Sequence, residues 1–126
     1  MTEHDRHHGR LPEWLGFSIL DAGPDLARAE LAVTPGVVQS AGVVHGGVLF
    51  TLADAVAANL AIANAPAASG TTLDASIRFF RPVRTGVVTA EARLLHRGRR
   101  TLAIEVQIRD ADQRLVAVYQ SAFLAG

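Results

Sequence analysis

The sequence predicts an α+β domain in which an antiparallel β-sheet wraps around one long central helix. Two short apolar runs come first, one long apolar stretch follows, and four runs with strand-like patterns complete the chain. This order differs from the regular alternation of strands and helices that builds a parallel sheet. Because the long stretch is apolar nearly all round, we expect the sheet to cover it on most sides.

The two N-terminal runs, GFSIL and LARAELAV, are separated by the segment DAGPD at residues 21–25. Asp, Gly and Pro favour turns, so residues 15–33 are predicted to form a β-hairpin. A loop at residues 34–42, rich in turn-forming residues, then delivers the chain to the sequence VVHGG and the long apolar stretch.

The long apolar stretch is predicted to be a helix that ends before Pro66, because Pro cannot continue a helix. Its most apolar part, residues 48–63, contains three polar residues and is shorter than the roughly 20 residues that a membrane span requires. We interpret it as a buried core helix.

The remaining chain shows the two-residue period of β-strands. The pattern is clearest at residues 102–109, where apolar side chains alternate with Ala103, Glu105, Gln107 and Arg109. The predicted strands are residues 73–80, 86–96, 102–109 and 115–124, with turns at 97–99 and 110–112.

The chain has 126 residues, which fits one domain, predicted here at residues 13–126 after a flexible N-terminal tail at residues 1–12. The tail is polar, and its histidines are assigned no function. No apolar stretch typical of a signal peptide follows it, so we expect a cytoplasmic protein.

Composition excludes several classes of function. Apolar residues make up 49% of the chain and charged residues 19%, which is typical of a globular domain. Twelve basic residues, all Arg, balance twelve acidic residues, so we expect neither nucleic-acid nor membrane binding. Without Cys there is no disulfide, thiolate nucleophile or Cys-ligated zinc, and no Ser lies in a G-x-S-x-G motif. We expect no metal and no cofactor.

Gly46 and Gly47 precede the predicted helix, where backbone N–H groups lack intrahelical partners and the helix dipole is positive. Without a Cβ, these residues also allow a ligand carbonyl to approach the backbone. The pair is suited to an oxyanion, as acyl transfer requires. A tight turn before a helix is the alternative interpretation.

Asp54 lies seven positions after Gly47 on the same predicted helix face. Asp is unfavourable inside a helix, and its burial costs several kcal/mol unless the carboxylate is hydrogen-bonded. A general base is one interpretation, and a structural Asp satisfied by backbone donors is the other. Its neighbours on that face are small, which predicts a groove there; they are Gly47, Thr51, Ala57, Ala58 and Ala61.

Further candidates are weaker. His45 has no nucleophile to activate and is interpreted as shaping the turn, whereas Gln39 and Thr72 could orient a carbonyl or a water. One local basic cluster could bind phosphates, although such a cluster is more often the solvated tip of a hairpin. The cluster comprises Arg93, His96, Arg97, Arg99 and Arg100. Four aromatic residues could line a pocket but are more often core; they are Phe50, Phe79, Phe80 and Tyr119.

The segment from Gln39 to Asp54, QSAGVVHGGVLFTLAD, resembles the signature of hotdog-fold acyl-CoA thioesterases of the PaaI-like group. The similarity continues through LDASIRFFRP at residues 73–82, HRGRR at residues 96–100 and DQRLVA at residues 112–117, and covers roughly residues 15–124. It implies an antiparallel sheet around one helix, assembled as a homodimer and often as a homotetramer.

The resemblance also implies roles for individual residues. Gly46 would donate its N–H to the thioester oxygen, Asp54 would act as base or nucleophile, and Gln39 and Thr72 would position thioester and water. Gly46 and Gln39 of one chain would face Asp54 and Thr72 of the other. Substrate binding is expected at a further set of residues, namely His45, Gly47, Arg97, Gly98, Arg99 and Arg100.

The sequence departs from the family pattern at two positions. Gln39 stands where many PaaI-like members have Asn and resembles the hydroxybenzoyl-CoA branch, which usually has Glu at the position of Asp54. Ala58 replaces a hydroxyl residue found in some aryl-CoA members.

We therefore expect hydrolysis of an acyl-CoA, including aryl-acyl-CoA such as phenylacetyl-CoA, by water that Asp54 activates. Attack by Asp54 itself, giving a mixed anhydride, is the second route. A non-catalytic acyl-CoA-binding protein is the main alternative, and a hotdog dehydratase ranks last because the chain lacks that group's catalytic His motif.

Overall fold

The computed structural model describes residues 15–65 and 71–125. The predicted tail at residues 1–12 therefore lies outside the described residues. The elements in chain order are β1 (Phe17–Ala22), β2 (Ala27–Ala32), a single 3-10 turn (Pro35–Val37), α1 (Gly46–Asn64), β3 (Thr72–Phe79), β4 (Val87–Arg97), β5 (Thr101–Arg109) and β6 (Leu115–Leu124). The predicted order of two strands, one helix and four strands is confirmed.

The six strands form one sheet in the order β1-β2-β4-β5-β6-β3, and every neighbouring pair is antiparallel. Strand β3 thus lies at an edge beside β6 and not beside β4. The helix separates β2 from β3 in the chain, and β4 takes the place next to β2. Small differences from prediction occur at strand ends, since Asp21 belongs to β1 and Arg97 to β4 rather than to turns.

The core lies between the sheet and α1, which contacts all six strands. Inward-facing residues of β5 are fully buried, as the alternating pattern predicts; they are Leu102, Ile104, Val106 and Ile108. The helix buries residues at spacings of three and one along a single face; they are Leu49, Leu52, Ala53, Val56, Ala57, Leu60 and Ala61. Although α1 is long and apolar enough for a membrane span, its packing on the sheet is typical of a core helix.

The sheet wraps around α1 but leaves one side of the helix partly open, where Gly47 and Ile62 are exposed and Thr51, Asp54 and Ala58 are half-buried; these five residues are called the open stripe. The sequence also predicted that Ala57 and Ala61 would border a groove beside Asp54. That prediction is wrong for both alanines, because each is fully buried beneath the chain's own sheet.

The first turn of α1 is organised by His45. His45 is the N-cap residue, with an extended backbone (φ −62, ψ 132), and its Nδ1 accepts a hydrogen bond from the Gly47 N–H at 3.0 Å. Its carbonyl accepts from the N–H groups of Val48 and Leu49. Nδ1 can accept only in the neutral imidazole with its proton on Nε2. His45 therefore shapes the turn, as its position suggested.

Replacing His45 should reveal the cap as a stability effect. We expect His45→Ala to lower the free energy of unfolding by about 1 kcal/mol, because the Gly47 N–H loses its acceptor. Asn is a preferred N-cap residue, so His45→Asn should recover most of that loss. Denaturant unfolding of the three proteins measures the effect, and equal stability of the Ala and Asn variants would contradict this role.

Candidate active site

The Asp54 carboxylate lies in the middle of α1, where hydroxyl groups from two strands hold it. Thr72 Oγ1, at the start of β3, donates a hydrogen bond to Asp54 Oδ1 at 3.0 Å. The Tyr119 hydroxyl, in the middle of β6, donates to the same oxygen at 2.5 Å. Because Asp54 is only half-buried, these bonds replace part of the hydration that the carboxylate loses. Asp54 and Thr72, both predicted site residues, are thus neighbours.

Sequence reasoning missed the role of Tyr119. Its side chain is fully buried, and its ring packs edge-on against Phe50 with centroids 5.5 Å apart and an interplanar angle of 72°. A buried phenol requires a hydrogen-bond partner, and Asp54 is the partner it has. The signal available in the sequence was a lone Tyr on the inward face of a strand, opposite a helix that carries one acid.

Burial, and secondarily the hydrogen bond to Asp54, raises the pKa of the Tyr119 phenol well above its usual range, against an opposing effect of the nearby Ser121 hydroxyl. The phenol therefore stays protonated and remains a donor wherever the protein is folded near neutral pH. Ser121 Oγ is itself buried and has no partner at hydrogen-bond distance within residues 15–65 and 71–125.

A free backbone donor lies at the other important position, the start of α1. The N–H groups of Gly47, Val48 and Leu49 are occupied by His45, as described above. Among the residues that the structure describes, the Gly46 N–H has no partner. It combines an available donor with the positive end of the helix dipole.

Gly46 borders a cavity of about 810 Å³. Its lining includes Gln39, Ser40, His45, Gly46, Phe79 and Phe80. A Cβ added to Gly46 would lie 3.1 Å from Phe79 Cζ, so the ring rests close against this residue. Phe79 and Phe80 are 48% and 53% exposed, which makes them walls of the cavity rather than core.

Gln39 is held by its own loop beside this cavity. Its side-chain Oε1 accepts a hydrogen bond from the Ala41 N–H, and its backbone N–H donates to Val43 O at 2.8 Å. Its amide nitrogen has no partner within the described part of the chain and remains a possible donor. The structure thus groups Gln39, His45 and Gly46 around one cavity.

The two groups of predicted site residues are separate within one chain. Asp54, Thr72 and Tyr119 do not belong to the cavity lining. Gly46 and Asp54 are eight residues apart on the same helix, which places them roughly 12 Å apart along its axis. One water molecule cannot span that distance while also attacking a carbonyl bound at Gly46.

Some arginines of the basic cluster bind other residues of the chain, and others carry no ion pair among the described residues. Arg97 donates from Nη2 to the backbone oxygen of Asn64 at 2.5 Å and from Nη1 to its Oδ1 at 3.4 Å, so it satisfies the C-terminal end of α1. Arg93 forms an ion pair with Glu91 at 2.7 Å. Arg99 and Arg100 are exposed and carry no ion pair within the described residues.

Gly98 lies in the tight turn between β4 and β5, where its N–H donates to Thr101 O at 2.8 Å. A Cβ there would lie 3.1 Å from the same oxygen, which accounts for glycine at this position. Residues 15–65 and 71–125 contain no group of three or more His, Asp or Glu side chains close enough to hold a metal ion.

Comparisons with known proteins identify the family to which the chain belongs. The family model described as the thioesterase superfamily matches residues 41–117. The Mycobacterium tuberculosis protein Rv1847 is 38% identical over 107 residues, covering 82% of this chain and 76% of that protein. Its solved structure has a TM-score of 0.87 at 34% identity and covers 93% of this chain and 96% of the other.

Two further relatives have names that state an activity. The acyl-coenzyme A thioesterase PaaI of Escherichia coli is 31% identical over 109 residues, covering 84% of this chain and 75% of that protein. The 1,4-dihydroxy-2-naphthoyl-CoA hydrolase of Listeria monocytogenes is 30% identical over 109 residues, covering 86% and 89% respectively. Together with the sheet wrapped around one helix, these matches show that the chain belongs to the thioesterase superfamily and has the hotdog fold.

Proposed function

We propose that the protein hydrolyses acyl-CoA thioesters to the free acid and CoA, at a site that two copies of the chain complete. The observation that carries the proposal is the unpaired Gly46 N–H at the positive end of α1, facing a cavity large enough for an acyl group and part of a pantetheine arm. Two relatives at 30% and 31% identity, named above as CoA-thioester hydrolases, support the class of substrate.

The chemistry follows from charge development on the thioester. Attack on its carbonyl carbon moves negative charge to the carbonyl oxygen, which the Gly46 N–H and the helix dipole stabilise. Asp54 takes a proton from the attacking water as the new carbon–oxygen bond forms. Collapse of the tetrahedral intermediate breaks the carbon–sulfur bond and releases CoA as a thiolate, which is a good leaving group.

We propose a second copy of the chain because of the distance between Gly46 and Asp54. The roughly 12 Å of helix between Gly46 and Asp54 prevents one chain from presenting both groups to one carbonyl. The open stripe exposes Asp54 to another chain, and β3, at an edge of the sheet, exposes Leu73 and Phe79 at 51% and 48%. We propose that Gly46 of one protomer faces Asp54 of its partner in a homodimer, with Arg99 and Arg100 binding CoA phosphates.

Gly46→Pro removes the proposed oxyanion donor and is compatible with the start of the helix. Pro is favoured at the first helical position, and the extended backbone of His45 suits a residue before Pro. We expect kcat to fall by about 100- to 1,000-fold. Gly46→Ala is the matched control, since it adds the same Cβ against the half-exposed Phe79 ring but keeps the N–H. If the Ala and Pro variants lost activity equally, the N–H would have no special role.

Asp54→Asn should remove the base without changing shape. In an assay of thiol release from short-chain, long-chain and aromatic CoA esters, we expect turnover to fall by at least about 100-fold. CoA binding should be retained, and Asp74→Asn, at an exposed position of β3, should match the wild type. Wild-type rates in Asp54→Asn would exclude this base. Saturable acyl-CoA binding without thiol release by the wild-type protein would instead support the non-catalytic alternative.

A heterodimer tests the shared site. One chain carries Gly46→Pro and the other Asp54→Asn, each with its own tag, so that sequential affinity steps isolate the mixed species. Such a dimer retains one intact site of two and should show about half the wild-type rate, although each homodimer is inactive. If each site lay within one chain, both chains would carry a defect and the heterodimer would be inactive.

A further inference from the structure

The two oxygens of the Asp54 carboxylate have different surroundings. Oδ1 accepts hydrogen bonds from both Thr72 Oγ1 and the Tyr119 hydroxyl, at 3.0 and 2.5 Å. Oδ2 accepts none from the residues that the structure describes. Two donors on one oxygen fix the orientation of the carboxylate plane and leave the other oxygen without a partner among the described residues.

Tyr119 constrains the Asp54 carboxylate more strongly than Thr72 does, because the Tyr119 side chain is fully buried and cannot adopt another position. Tyr119 pairs with Ile77 of β3 and Val106 of β5, in the interior of the sheet. The ring is fully buried and contacts Phe50 edge-on. The hydroxyl cannot turn to bulk water, so its contact with Asp54 is preorganised.

Tyr119 acts as a donor and not as an acid or base in turnover. Burial, and secondarily the hydrogen bond to Asp54, raises the pKa of the phenol, which keeps its proton in place near neutral pH. On β3 and β6, the two strands that contact Asp54, the other ionisable side chains are Asp74 and Arg78, both exposed. The hydrogen bond therefore connects a permanent donor with a carboxylate that has no other charged neighbour on those strands.

We propose that Tyr119 is a positioning residue which, with Thr72, holds Oδ1 of Asp54 so that Oδ2 is the oxygen that accepts the proton of the attacking water. The inference rests on the proposed function. In this step the water oxygen bonds to the thioester carbon, its proton passes to Oδ2, and both hydrogen bonds to Oδ1 are kept. Tyr119 touches neither substrate nor water.

This arrangement has a consequence for turnover. Removing the Tyr119 hydroxyl frees the carboxylate to sample unproductive orientations, so kcat should fall. KM should change little, because this hydrogen bond makes no contact with the substrate.

The central experiment is Tyr119→Phe, which deletes one oxygen and keeps the buried ring. We expect kcat to fall by about tenfold to a hundredfold and KM to change little. The control is Ser76→Ala, which removes an exposed hydroxyl from the neighbouring strand β3. It should keep the wild-type kcat.

A second measurement does not depend on activity. Tyr119 is the one tyrosine of the sequence, so the absorbance of tyrosinate reports this residue alone. In Asp54→Asn the phenol loses its negatively charged neighbour and should ionise at lower pH than in the wild type. If Tyr119→Phe did not fold, Thr72→Val should lower kcat at little changed KM, with Thr72→Ser restoring it.

The outcomes separate the two proposals. An active wild type together with an unchanged kcat in Tyr119→Phe would overturn the positioning role and leave the thioesterase proposal intact. A wild type without turnover on any CoA ester would overturn the proposed function. The tyrosinate titration would still decide whether Tyr119 and Asp54 are coupled, and an unchanged titration in Asp54→Asn would reject the coupling.

Discussion

The hydrogen bonds that Asp54 Oδ1 accepts from β3 and β6 constrain the rest of the structure. A carboxylate in an otherwise apolar helix loses hydration when the helix packs on a sheet, and donors must replace that water. Thr72 and Tyr119 supply them at 3.0 and 2.5 Å. Since both belong to the sheet, satisfying Asp54 also fixes how far α1 is rotated about its axis. The apolar face of α1 packs on the sheet, and Asp54, half-buried at the border of the open stripe, bonds to β3 and β6.

The backbone N–H groups at the start of the same helix also need acceptors. His45 uses both its imidazole and its carbonyl to occupy three of the first N–H groups, those of Gly47, Val48 and Leu49. The cap thereby stabilises the helix and leaves the Gly46 N–H as the donor without a partner. The N–H groups of Gly47, Val48 and Leu49 thus stabilise the helix, whereas the N–H of Gly46 is available to bind an anion. A substitution that affects one of these roles need not remove the other.

The sequence predicted the order of elements well, because periodicity and turn residues are local signals. The alternation in β5 and the helix ending before Pro66 are examples, and β6 was placed at its observed bounds. What the sequence did not reveal was which residues meet across the fold. Tyr119 lies 65 positions from Asp54, and Arg97 lies 33 positions from Asn64, whose carbonyl it binds. Ala57 and Ala61 were assigned to the open side because their spacing from Asp54 does not reveal how the sheet curves.

The proposed sharing of one site between two chains has a structural reason in the helix itself. For one chain to hold both groups, an acid would have to lie within a turn of Gly46, at position 49 or 50. Leu49 is 3% exposed and Phe50 packs against Tyr119, so both positions serve the core. A carboxylate there would be buried without donors and would destabilise the fold. Asp54 is far enough along the helix to reach Thr72 and Tyr119, and in the proposed dimer that same distance makes it available to the partner's Gly46 rather than to its own.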